Sequence, residues 1–296
     1  MAFVAMLMGL ALAGAVSQEP EAPTQVGDIV VQGRRIDDQV RRFIDEVAAS
    51  PTGRGPARWR DRICVGVANI RGDAAQYVVD RVSQAALDIG LDPGEPGCQP
   101  NILIIGASDG AAMARGLVDA RRNVFWPGGS GMNRSRAALE AFQQSDRAVR
   151  WWHISTPIDS QTGQLAVRLP GEEAPTVSRT GAGRLRTTIR NDLNRVIIIL
   201  DLAQAEGLNF QQLADYVAMV ALAQVDPDAD VGDYDSVLGL FADAGIQGLT
   251  DWDKAYLKAL YAAELNQSAA THQLGELRGL MARDRKQSEG LEVDQP

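Results

Sequence analysis

The chain has 296 residues, of which 45% are hydrophobic and 23% are charged. This composition is ordinary for a globular protein with one large domain or two small ones. The formal net charge is −9. We therefore do not expect nucleic acid as a partner, because binding to phosphates needs a basic face.

An apolar segment opens the chain, from Met1 to Val16. It is too short to span a bilayer and has the character of a signal-peptide core. We expect a signal peptide over residues 1–17, and hence a periplasmic or secreted protein. No Lys or Arg precedes the apolar run, so an upstream start or an uncleaved anchor stays open. No second segment approaches the ~20 apolar residues of a transmembrane helix, so no membrane contact is expected beyond the leader.

Residues 18–58 are predicted to form a linker that contains a short strand and an amphipathic helix. The strand-like run begins at Asp28 (DIVVQGRR), and the helical spacing of apolar residues extends from Ile36 to Ala48. A single α/β domain is predicted over residues 59–285, and a polar tail over residues 286–296.

The domain begins with a strand–helix–strand unit, in which strands Ile63–Ala68 and Ile102–Gly106 flank the helix Ala74–Ile89. Such a crossover places the two strands parallel and in one sheet. Val149–Ile154 and Leu165–Leu169 look like an antiparallel pair, which would make the sheet mixed. A Gly-rich turn and a short helix are predicted over Gly181–Arg195.

A buried strand and a core helix follow, and the chain then becomes helical. The apolar runs and their helical spacing predict these elements: strand Arg195–Leu200 and helices Gly110–Arg122, Ser135–Ser145, Asn209–Val225, Trp252–Leu265 and Thr271–Arg285. The expected fold is therefore α/β (α+β), with a mixed sheet and a helical C-terminal part.

The chain has two cysteines, Cys64 and Cys98. An even count in an exported protein suggests a disulfide. Cys64 lies in one predicted strand and Cys98 just before another, so the sulfurs could meet if these strands are neighbours. Two unpaired, buried thiols are the alternative. No histidine lies near either residue, which argues against catalytic or metal-binding use.

The order of the elements resembles that of the metzincin-like zinc peptidases. The chain is also similar to a group of exported alphaproteobacterial proteins of unknown function. That likeness extends from Trp59 to Arg285, and its motifs specify a family better than an activity. The motifs are RWRDRICVGV, GCQPNILIIG, QLADYVAMVALAQ and LTDWDKAYLKALY.

In such peptidases a helix at this place in the order carries His-Glu-x-x-His. In this chain the pattern falls on Ala214-Asp215-Tyr216-Val217-Ala218. Zinc needs two imidazoles one helical turn apart, because residues i and i+4 share a face. Both positions are alanine here, and Asp215 keeps only a shorter carboxylate. The resemblance therefore implies a degenerate fold, a pseudoenzyme in which this helix does not bind zinc.

Three residues are candidates for an unrecognised catalytic site, namely Asp215, Tyr216 and His153. Only one other histidine exists in the chain, His272. The alternative is structural: His153 follows two tryptophans in a strand, and Asp215 and Tyr216 would be polar residues at the edge of a core helix.

Two clusters of charge are candidate ion sites. Five aspartates with the alternation that suits Ca²⁺ crowd one loop: Asp226, Asp228, Asp230, Asp233 and Asp235. The EF-hand pattern fails there, because Val231 and Val237 occupy its glycine and glutamate positions, and a solvated acidic loop is the alternative. Three arginines are candidates for anion binding, or else surface residues paired with acids: Arg184, Arg186 and Arg190.

The leading hypothesis is an exported, non-catalytic binding or scaffold protein of the bacterial cell envelope. Its cleft beside the helix Asn209–Val225 would hold a peptide or an envelope protein. One alternative is a hydrolase in which the three candidate residues and the aspartate-rich loop converge. The other alternative is a structural module that calcium stabilises. Calcium is the only cofactor that the sequence suggests.

Overall fold

The computed structural model describes residues 26–51, 53–126, 134–167, 175–176 and 185–291, with side chains from Arg34 onward. The helices are α1 (Val26–Val47), α2 (Gly72–Asp88), α3 (Gly110–Ala120), α4 (Arg122–Phe125), α5 (Arg136–Gln144), α6 (Phe210–Leu222), α7 (Asp251–Ala262) and α8 (Ala270–Ser288). The strands are β1 (Val65–Ala68), β2 (Ile102–Ala107), β3 (Val149–Asp159) and β4 (Ile189–Asp201). A 3₁₀ turn covers Val237–Gly239.

The four strands form one mixed sheet in the order β1-β2-β4-β3. β1, β2 and β4 run parallel, and β3 is antiparallel to β4. The predicted α/β fold, with its mixed sheet and helical C-terminal part, is confirmed. β2 and β4 are the inner strands, and their isoleucine-rich sequences follow from burial on both faces.

Helices cover both faces of the sheet. The larger core lies between one face and α1, α2, α6, α7 and α8. The smaller core lies between the other face and α3, α4 and α5. Adjacent residues of a strand point to opposite faces, so Trp151 enters the larger core and Trp152 the smaller one.

The two cysteines join β1 to the turn that precedes β2. Cys64 and Cys98 form a disulfide with a Cα–Cα distance of 6.0 Å. The predicted pairing is therefore confirmed. The neighbouring positions of β1 and β2 in the sheet bring the two sulfurs together.

The strand predicted near Asp28 is wrong, because helix α1 already begins at Val26. Extending a helix adds one hydrogen bond for each residue, whereas a short strand needs a partner strand. The helix predicted from Ile36 is confirmed, and Val40 and Phe43 are fully buried in the larger core. Part of the predicted linker thus belongs to that core.

The helix predicted within Gly181–Arg195 is also wrong, because β4 begins at Ile189. β4 pairs with β3 over nearly the whole length of β3, and these tertiary hydrogen bonds outweigh the local helical pattern. The predicted strand partner Leu165–Leu169 forms only isolated bridges at Leu165 and Val167. Residues 168 and 169 lie outside the described part of the chain.

Candidate ligand-binding cleft

Helix α6 is fixed at its first turn and buried along its length. The side chain of Asn209 accepts a hydrogen bond from the backbone N–H of Gln212, and the Gln212 side chain accepts one from the backbone N–H of Asn209, which is a capping box. Gln212 Nε2 also donates to the carbonyl oxygens of Ala244 and Ile246 at 2.8 and 2.7 Å. The loop that follows the 3₁₀ turn is thereby tied to the start of α6.

The two positions that would carry zinc-binding histidines are packed into the core. Ala214 and Ala218 are both 0% exposed. The small side chains allow α6 to lie close to its neighbours in the larger core. This part of α6 therefore serves packing.

Asp215 is a buried anchor that joins α6 to two other segments. Its carboxylate accepts a hydrogen bond of 2.6 Å from Arg81 Nε on α2, and one of 3.0 Å from the backbone N–H of Leu249. A Cβ at Gly248 would lie 2.1 Å from Asp215 Oδ2, so the loop can approach this closely only with glycine. These contacts give Asp215 a structural role.

His153 joins β3 to α6. Its Nε2 donates to the carbonyl oxygen of Val220 at 2.7 Å, which identifies the neutral tautomer with the proton on Nε2. Burial lowers the pKa of His153 from 6.5 to about 4. Asp215 and His153 have no hydrogen-bond partner in common, so the structure does not bring these two candidates together as an acid–base pair.

Tyr216, the third candidate, lies on the wall of a cavity. Its side chain is only 6% exposed. Its ring makes edge-to-face contacts with Trp151 and Phe241, at centroid distances of 6.0 and 5.1 Å. Within the described part of the chain, the Tyr216 hydroxyl has no hydrogen-bond partner, and burial raises its pKa. The ring is buried but the hydroxyl oxygen keeps some accessibility, so this group is available to a ligand.

The cavity beside Tyr216 has a volume of about 700 Å³. This is within the range of small-ligand and peptide pockets, ~300–1,000 Å³. We call it the α6 cleft and define it by Asp146, Arg147, Tyr216, Asp230, Phe241 and Asp243. Its walls come from the start of β3, from α6, from the aspartate-rich loop and from the 3₁₀ turn.

Arginines hold the first two aspartates of the candidate calcium loop. Both carboxylate oxygens of Asp226 accept from Arg134 at 3.0 Å, and Asp228 accepts from Arg147 at 2.7 Å. The Asp230 side chain accepts from its own loop, at the backbone N–H of Gly232.

The other two aspartates of the loop, Asp233 and Asp235, are exposed. Among the residues that the structure describes, no three His, Cys, Asp or Glu side chains are grouped to hold a metal ion. The loop is thus not preorganised as a calcium site.

Arg186 and Arg190, the two candidate anion-binding arginines that the structure describes, each lie near a carboxylate. Arg186 is exposed and lies 3.9 Å from Glu264, whereas Arg190 pairs with Asp192 at 2.9 Å. Arg184 lies outside the described residues. These contacts match the alternative of surface arginines paired with acids.

Several residues of the α6 cleft are not predicted from the sequence, including Asp146, Arg147 and Phe241. Phe241 ends the apolar run that contains the 3₁₀ turn and is 44% exposed. An apolar run predicts burial, and nothing in its pattern indicates that its last aromatic residue faces a cavity. The role of Arg147 is also not evident from the sequence, because it is 81 residues away from Asp228, the loop residue that it contacts.

Comparison with known proteins finds no match to the chain among protein-family models, curated proteins or solved structures. None of the helices in the described ranges is both long and apolar enough to cross a membrane. The chemistry of the α6 cleft is therefore the main guide to function.

Proposed function

We propose that the protein is an exported, non-catalytic binding protein of the bacterial cell envelope, and that the α6 cleft holds a peptide segment of a partner. The observation that carries this proposal is the cavity of about 700 Å³ lined by Tyr216, whose hydroxyl has no hydrogen-bond partner among the residues that the structure describes. A cavity of this size with a few polar groups in its wall is typical of a ligand site.

A peptide fits the position of the cleft in the fold. β3 is an edge strand, and among the described residues its outer edge forms backbone hydrogen bonds only near its end, where Asp159 donates to Gln164 and Pro157 accepts from Ala166. Val149, the first residue of β3, lines the cleft. An extended peptide could add to this edge and place a side chain in the cleft, which is a common mode of peptide recognition.

The contacts of the other candidate residues favour binding over hydrolysis. The pKa of His153, lowered by burial, keeps this residue neutral, and its ring is occupied by a backbone carbonyl. The carboxylate of Asp215 is occupied by Arg81 and Leu249. We interpret the chain as a degenerate form of the metzincin-like pattern, in which both histidine positions are alanine.

The disulfide supports export. Disulfides form and persist in oxidising compartments such as the periplasm, and they are rare in the cytosol. The predicted signal peptide lies outside the described residues, so it stays a prediction. Amino-terminal sequencing of the protein from a periplasmic fraction tests it, and a mature chain that begins near Gln18 is the expected result.

Binding to a panel of extended, fluorescent hexapeptides tests the proposed function. We expect saturable binding, measured by fluorescence polarisation, and no cleavage in the mass spectrum after prolonged incubation. Phe241→Ser, which changes an exposed ring in the cleft, should weaken binding. Leu87→Ser is the matched control, because Leu87 is an exposed apolar residue on α2, away from the cleft. Cleavage of the peptides, or no binding to any of them, would overturn the proposal.

A further inference from the structure

The α6 cleft carries an excess of negative charge. Asp146, Asp230 and Asp243 line it, and Arg147 is the one cation among the described residues that line it. The Arg147 guanidinium is already engaged by Asp228, at a distance of 2.7 Å. Asp230 and Asp243 form no ion pair with the described residues, so they would attract a positively charged ligand and repel an anionic one.

The cleft also has an aromatic wall. Tyr216 and Phe241 are in edge-to-face contact, and Tyr234 lines the same cavity. An aromatic ring attracts a cation to its face, and it packs against the methylene groups of a lysine or arginine side chain. The hydroxyl of Tyr216 can accept a hydrogen bond from an ammonium or guanidinium N–H.

From these three features we infer that the α6 cleft binds a lysine or arginine side chain of the partner peptide. The aromatic wall contacts the side-chain stem, Tyr216 accepts a hydrogen bond from the cationic head, and the carboxylates of Asp230 and Asp243 supply the attraction. This inference rests on the proposed function and adds the chemical class of the ligand. The acidic character of the whole chain, with a net charge of −9, assists the approach of a basic partner.

The test compares three hexapeptides of the same length, capped at both ends, in which alanine alternates with lysine, glutamine or glutamate. An arginine version of the first peptide separates ammonium from guanidinium preference. We expect the basic peptides to bind at least about tenfold more tightly than the neutral one, and the acidic peptide not to bind. Affinity should fall as salt is raised, because the screening length shrinks from ~10 Å at 0.1 M to ~3 Å at 1 M.

Two variants locate the effect in the cleft. In the double variant Asp230→Asn/Asp243→Asn, the amide oxygens can still accept the hydrogen bonds from Gly232 and Gly245, so the loops keep their geometry. We expect its affinity for the lysine peptide to fall about tenfold. Tyr216→Phe keeps the ring and removes only the hydroxyl, and about a fivefold loss is expected.

The matched control is Asp73→Asn/Asp88→Asn, which changes the net charge equally but alters two exposed aspartates of α2. It should bind the lysine peptide almost as tightly as the wild type. Equal losses in both double variants would show that only overall charge matters, and would overturn the inference.

The outcomes separate this inference from the proposed function. Binding of all peptides with no preference for basic ones would overturn the inference and leave a peptide-binding cleft. Binding to none of the peptides would overturn both.

Discussion

Replacing His153 by glutamine should remove much of the pH dependence of stability between about pH 7 and pH 5. The folded protein holds the pKa of His153 at about 4, below its usual 6.5, because the ring is buried. Above pH 6.5 the ring is neutral in both the folded and the unfolded state. As the pH falls below 6.5, the unfolded state gains a proton that the folded state cannot accept, so stability is lost.

The size of this effect follows from the two pKa values. One pKa unit corresponds to ~1.4 kcal/mol. Linkage then gives a loss in the free energy of unfolding of about 2 kcal/mol at pH 5 and about 3 kcal/mol at pH 4. Glutamine has no charge to gain, and its amide can still donate to the carbonyl oxygen of Val220.

Urea unfolding at about pH 7 and pH 5, followed by tryptophan fluorescence, measures the effect. Carboxylates also titrate toward pH 5, but they do so in the wild type and in the variant alike, so the difference between the two proteins isolates His153. His272→Gln is the control, because His272 is exposed and should leave the pH dependence unchanged. If the wild type and His153→Gln lose equal stability between the two pH values, burial does not hold the ring neutral and the reasoning fails.

Three further predictions concern the anchors of the fold. Asp215→Ala should lower the free energy of unfolding by about 2 kcal/mol in urea titrations, since it leaves the Leu249 N–H and the Arg81 guanidinium without their acceptor. The double variant Cys64→Ala/Cys98→Ala should lose about 4 kcal/mol in the same assay, because the disulfide closes a loop between residues 34 apart in sequence. Millimolar calcium should leave the Tm unchanged in calorimetry, because arginines already hold the first two carboxylates of the aspartate-rich loop.

The sequence predicts the parts of this fold that depend on local periodicity or on long apolar runs. The disulfide and the parallel placement of β1 and β2 follow from the strand–helix–strand pattern, and the buried face of α1 follows from its helical spacing. β4 was missed over its first residues because Asn191 and Asp192 do not look like strand residues. The side chain of Asn191 accepts a hydrogen bond from Arg54, which is 137 residues away in sequence, and that of Asp192 accepts one from Arg190.

For the candidate site, too, the sequence predicts the local helix but not the tertiary contacts of its side chains. The helical spacing of apolar residues predicts the helix that carries Asp215 and Tyr216, but the roles of the two residues differ because they point in different directions. Asp215 accepts a hydrogen bond from Arg81, which is 134 residues away in sequence, whereas Tyr216 lines the cavity. Adjacent residues on a helix lie on different sides of it, and only the neighbours brought by tertiary packing decide which side opens to a ligand.

Introducing the zinc-binding pattern tests whether this face of α6 is closed. In the double variant Ala214→His/Ala218→His, two imidazoles would have to enter space that is closed, since both alanines are 0% exposed. Overpacking of a core costs ~1–3 kcal/mol at each site, and burying imidazoles without partners adds to that cost. We expect a clear fall in Tm and no stoichiometric zinc by elemental analysis. A variant that stayed stable and bound zinc would show that this face of α6 still opens to a cleft, and the packing role assigned to these alanines would be wrong.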